Sequence, residues 1–250
     1  MTTRTAEISP IIEIPLIVKH VRVVGFLLLL LIPLAIFGQI YVPSMLIVPA
    51  DAAATAKNIM ASESLFRLGI VSVLLSHLLG DIAWVLVLYQ LLKPVNKNMA
   101  VLMVIFNLLI VPIAMLNELN QFAILLLLHG ADSLRGFTPD QLHALLSLFL
   151  NLHDNGIKIA GIFWGLWLFP YGWLVFKSSF LPRFIGVLLM IGCFGYLIQS
   201  FVGFLSPSLV VYTAPLAGLT SSGELLLPLW LLMKGVNVER WEKRALASTT

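Results

Sequence analysis

Long apolar stretches follow one another along the chain, separated by short polar breaks. The first runs from Val21 to Val42 and stops at Pro43-Ser44. Lys19 and Arg22 stand ahead of its apolar run Val23–Ile36 as in a secretory leader. No small-residue cleavage site follows, so an uncleaved first span is expected. The second stretch runs from Phe66 to Leu92 and stops at Lys93-Pro94, and the third from Met99 to His129, with Gly130 as a C-terminal cap. Thr138-Pro139-Asp140-Gln141 is a capping box with proline at its first helical position, and it opens a fourth helix that continues to Lys177. The fifth covers Arg183 to Leu205, and the sixth Pro215 to Lys234, capped by Gly235. Between the first two lies a short helix that starts at Asp51 as N-cap and runs to Met60.

Each long stretch has the length of a membrane-spanning helix, which needs about 20 apolar residues. The expected fold is therefore all-α: a polytopic transmembrane bundle of about six helices. Residues 1–20 form an N-terminal segment, 21–235 the bundle, and 236–250 a polar, exposed tail. At about 1.5 Å per residue, helices three and four reach roughly 45 and 58 Å, against a hydrocarbon core of about 30 Å. They are expected to extend beyond the membrane on the outer side, with a kink near Asn155-Gly156, packed against the Asp51–Met60 helix.

Composition agrees. The chain is 60% hydrophobic and 11% charged, with mean hydropathy +1.00. A soluble domain carries about 25% charged residues. The single cysteine, Cys193, excludes an internal disulfide and any cysteine-based metal site. The net charge of +3 is small and its basic residues follow topology, so no nucleic-acid partner is expected. Arg4, Lys19, Arg22, Lys93, Lys97, Lys177, Arg183, Lys234, Arg240, Lys243 and Arg244 all fall on one side, and only Lys57 and Arg135 on the other. The positive-inside rule then places both termini in the cytoplasm. Tyr41, Trp173 and Trp241 sit near helix ends, as in an interfacial belt.

Ionisable residues inside a span are costly and mark a pathway or a paired lock. Counted from the cytoplasmic end, Asp81 lies roughly 16 Å, His77 about 22 Å and Arg67 about 37 Å up span two. Glu118 and Lys158 both come out at about 28 Å, and Asp154 at about 34 Å, near Arg67. Glu118–Lys158 and Arg67–Asp154 are thus expected ion pairs. Asp81 and Glu224 lie near mid-depth without a basic partner at that depth. Gly161, Gly165 and Gly172 share the lower stripe of helix four, a small-residue pattern that permits close contact.

The expected site is an outward-opening polar cavity lined by Arg67, His77, Asp81, Glu118, His153, Asp154, Lys158 and Glu224. Metal binding by His77, Asp81 and His153 is the weaker alternative, because no His-x-x-x-His occurs. No nucleophile elbow, P-loop or dinucleotide fingerprint is present, and neither metal nor cofactor is expected.

Several segments carry a family resemblance. They are Ile47 to Ala56, Ser62 to Arg67, Leu92-Lys93-Pro94-Val95-Asn96, His153 to Gly156, Phe180-Leu181-Pro182-Arg183 with Gly186, and Gly223-Glu224. Together they resemble a prokaryotic family of multi-pass membrane proteins filed as domain of unknown function 4386, over roughly residues 20–235. The resemblance implies a bacterial or archaeal plasma-membrane protein and no activity. It points at Arg67, Asp81, His153 and Glu224, while His77 departs from it, where an apolar residue is usual.

Three functional classes follow. The leading one is a non-enzymatic membrane protein whose cavity binds or moves a small solute or lipid head group. The second is an intramembrane, metal-dependent lipid hydrolase. The third is a structural or sensory subunit held against another membrane protein. Membrane lipids are partners in all three.

Overall fold

Apolar side chains in lipid leave the backbone one economical solution, the helix, which satisfies its own N–H and C=O groups. A computed structural model describes residues 20–130, 134 and 136–248, and for Val24 and residues 214–221 the backbone alone. Residues 1–19, which include Arg4 and Lys19, lie outside the described residues, as does Arg135. The described chain is helical throughout its regular structure, with no strand among the described residues.

Among the described residues eight α-helices follow in order, some interrupted by a π turn or a break. They are α1 (Val21–Leu46), α2 (Ala52–Ala61), α3 (Glu63–Leu92), α4 (Lys97–Leu128), α5 (Pro139–Lys177), α6 (Arg183–Leu205), α7 (Val210–Met233) and α8 (Val238–Ala247). Among the described residues, α1, α3, α4, α5 and α6 are long and apolar enough to cross a membrane. The chain is thus a multi-pass membrane protein. Many large apolar residues face outward, Leu116 at 65% and Ile40 at 64% exposure among them, as a lipid-facing surface requires.

The caps read from sequence are present. Asp51 accepts from the Ala54 N–H, Thr138 and Gln141 complete the capping box, and Gly130 and Gly235 adopt left-handed φ of 64° and 70°. Several irregularities interrupt the helices among the described residues. Pro33 has no N–H to give and crowds the preceding turn, and a π-helical turn follows at Phe37–Tyr41 in α1. A second π turn, Ser76–Asp81, divides α3. Pro112 lies inside α4, which breaks at Glu118. By contrast α5 runs as one 39-residue helix through Asn155-Gly156, so the interruption expected there falls instead on α4.

Packing is organised around α5. Its glycines meet α6 at backbone distance: a Cβ on Gly172 would lie 2.6 Å from the Gly186 carbonyl oxygen, and one on Gly165 would lie 2.9 Å from that of Cys193. Lipid is as apolar as leucine, so such close van der Waals contact, not burial from water, holds these helices together. One apolar core gathers Leu88, Leu91, Met103, Tyr171, Leu174 and Leu189. A second gathers Leu46, Ile59, Phe66, Ile70, Ile124 and Leu146, where α2 packs against α5.

The tail departs from expectation. Residues 238–247 form an amphipathic helix with Trp241 buried to 2% exposure, and its indole N–H donates to the Leu91 carbonyl at 2.8 Å. Trp241 is therefore a core residue, not an interfacial one. Arg240 reaches the Ser179 carbonyl and Arg244 the Val95 carbonyl, so α8 ties the α3–α4 turn to the α5–α6 turn. The basic residues of these segments thereby gather at one end of the bundle.

Candidate functional site

α1 crosses the bundle pinned at two glycines. A Cβ on Gly25 would lie 3.0 Å from the Pro228 carbonyl oxygen of α7, and one on Gly38 would lie 2.6 Å from the Gly69 carbonyl oxygen of α3. Between those pins α1 helps to wall a pocket of about 470 Å³, with α3, α5 and α7 as the other sides. Its polar groups are Gln39, Ser76, His77, Asp81 and Glu224. Trp84, Trp164 and Trp167 form its aromatic wall, and Leu28, Leu31, Ile32 and neighbours its aliphatic one.

Both π turns contribute. A π turn inserts an extra residue into the helix and is frequent at functional sites. The one in α3 carries Ser76, His77, Gly80 and Asp81 to the pocket, and the one in α1 carries Gln39 and Ile40. His77 Nδ1 lies 2.7 Å from Asp81 Oδ2. His77 is 3% exposed and its Nε2 has no hydrogen-bond partner among the described residues. From α6, Tyr196 donates its hydroxyl to Glu224 Oε2 at 3.0 Å.

The aromatic wall is braced from behind. Trp167 stacks on the fully buried Tyr171 with ring centroids 4.9 Å apart, and Trp84 meets the same ring edge-on at 6.4 Å. Trp164 lies over His77 at 6.2 Å and beside Tyr196 at 6.3 Å.

The other expected site residues go elsewhere. Glu118, 1% exposed, lies with Oε1 3.1 Å from His153 Nε2, which is also 3.0 Å from Gln121 Nε2. One ring nitrogen cannot donate to the carboxylate and accept from the amide together. His153 Nε2 therefore bonds one of the two at a time. Asn117 donates to the His153 carbonyl at 2.9 Å, so α4 and α5 are joined by a buried polar layer. The expected Glu118–Lys158 pair does not form: Lys158 donates to Asn155 Oδ1 at 3.1 Å and lines a separate pocket of about 290 Å³ with Gln199. Nor does Arg67 meet Asp154. Arg67 Nε donates to Glu63 Oε1 at 2.6 Å, and His129 approaches the same carboxylate at 3.2 Å, while Asp154 is exposed. Both pairings follow from heights along straight, level helices. The break at Glu118 and the π turn in α3 change those heights.

His77, Asp81 and Glu224 are thus brought together, whereas His153 is held by Glu118 and Gln121. Among the described residues no group of three or more His, Cys, Asp or Glu side chains is placed to hold a metal ion. The residues missed from sequence are the tryptophans, Tyr196 and Gln39. Their signal was position: Trp164 and Trp167 stand mid-helix at i, i+3, away from an interfacial belt.

Comparison with known proteins supplies a family and no activity. An uncharacterized protein of Archaeoglobus fulgidus is 30% identical over 157 residues, covering 62% of this chain and 76% of that one. No solved structure matches. The family model described as Domain of unknown function (DUF4386) matches residues 23–235, and the chain belongs to that family.

Proposed function

We propose that this protein is a prokaryotic plasma-membrane protein that binds, and in doing so carries or senses, a small solute or lipid head group in the His77–Asp81–Glu224 pocket. The observation that carries the reading is the pocket itself. Ionisable groups from α3 and α7 share a space of about 470 Å³ inside a bundle where such groups are costly unless used. That volume falls within the range of roughly 300–1,000 Å³ usual for small-molecule sites.

The orientation follows from charge. Lys93, Lys97, Lys177, Arg183, Lys234, Arg240, Lys243 and Arg244 belong to the end tied by α8, which is the cytoplasmic end by the positive-inside rule. On this reading α7 is the sixth span, both termini are cytoplasmic, and the far ends of α4 and α5 project outward with α2 against them. The pocket then opens outward between α1 and its neighbours.

A filling substitution tests the reading. Gly80 has nothing within 4 Å of where its Cβ would lie, so Gly80→Leu extends into the pocket without meeting backbone. The native chain and this variant are purified in lipid nanodiscs and their copurifying small molecules and lipids compared by mass spectrometry. The expected result is a bound species lost from a variant whose unfolding midpoint is unchanged. The same complement in both contradicts the reading.

A further inference from the structure

We infer that the pocket takes an organic cation, an ammonium or quaternary ammonium group. This rests on the reading that the pocket binds a ligand, and it names the class. Asp81 and Glu224 line the space, and no Lys or Arg is among the described residues that do. His77 Nδ1 lies 2.7 Å from Asp81 Oδ2, and the hydrogen-bond partner of Glu224 is the Tyr196 hydroxyl. An anion would face two carboxylates with no Lys or Arg to receive it.

The walls narrow the class further. Trp84, Trp164 and Trp167 offer indole rings, the best neutral partners for a cation through their electron-rich faces. Tyr171 backs two of these rings, so they are held in place before any ligand arrives. An inorganic metal cation needs several oxygen or nitrogen donors at short range. Here, apart from Gln39, Ser76 and His77, the remaining wall is aliphatic, which suits N-alkyl groups better than a bare metal ion. Carboxylates, indole rings along the wall and a largely apolar remainder together describe an ammonium site.

The same chemistry occurs free in solution and on lipid head groups, and two arms separate them. In the first, the full chain in phosphatidylglycerol nanodiscs is titrated with choline and with its uncharged isostere 3,3-dimethylbutan-1-ol, following tryptophan fluorescence. Saturable choline binding at least about tenfold tighter than the isostere is expected for a soluble cation. In the second, phosphatidylcholine or phosphatidylethanolamine replaces phosphatidylglycerol. A fluorescence change here that choline does not reproduce assigns the site to a head group. Asp81→Asn and Glu224→Gln, made singly, each weaken the favoured cation by about tenfold and leave the isostere unchanged. Equal binding of choline and the isostere overturns the cation class while leaving a binding pocket. No response in either arm overturns it as well. Failure of the pocket itself is read separately, from the Gly80→Leu comparison above.

Discussion

Gly156 has no side chain because the Asn117 amide occupies the space beside it. A Cβ there would overlap that amide, which is itself fixed to the His153 carbonyl and to Asn120. The collision cannot relax without breaking the layer that joins α4 to α5. Gly156→Ala is expected to destabilise the chain by about 1–3 kcal/mol, measured by unfolding in mixed detergent. A variant as stable as the parent would remove Asn117 from this role. The residue scale is also where sequence reading is weakest. His77, Asp81 and Glu224 stand out from sequence because charge inside an apolar run is conspicuous. Glu118 stands out equally, but its partner does not. His153 and Lys158 are five residues apart, and a break or tilt in either helix decides between them. The tryptophans are hidden for the opposite reason, because an aromatic residue in a membrane helix needs no special explanation until its neighbours are known.

Helices are legible where their ends carry chemistry. The Asp51 cap, the Thr138–Gln141 box and the two left-handed glycines all follow from local sequence and are all present. The π turns do not, because their cause is only partly local. Pro33 frees a carbonyl in α1, but nothing in Ser76–Asp81 demands the extra residue that turns His77 and Asp81 toward α1 and α7. The tail helix is hidden because its charges outweigh its apolar residues. Trp241 and Ala245 nevertheless share one face at helical spacing, and that face docks. Trp241→Ala leaves a cavity and an unpaired Leu91 carbonyl. An expected loss of about 3–5 kcal/mol follows. Limited proteolysis reads it as earlier cleavage near residue 237, and unchanged protection would contradict the docking.

At the scale of the molecule, two apolar cores stand at either end of the bundle, and polar groups lie between them. The overall fold is readable because bilayer thickness, helix rise and basic-residue asymmetry are global constraints that tolerate local error. The pocket is not readable as a shape. It arises because α1 touches α7 at Gly25 and α3 at Gly38 and leaves the stretch between unfilled. The functional account depends on that space holding water. Cys193 is the only cysteine and is buried, so a Cys193→Ser background admits single reporters. Gly80→Cys in the pocket and Leu79→Cys, whose native side chain is 47% exposed on the lipid-facing surface, differ by one residue. A membrane-impermeant cationic thiosulfonate, applied to the reconstituted protein, is expected to modify the cysteine at position 80 at least about tenfold faster than that at 79, since only a hydrated thiol ionises. Equal, slow modification at both positions would mean a dry seam between helices and would contradict the account.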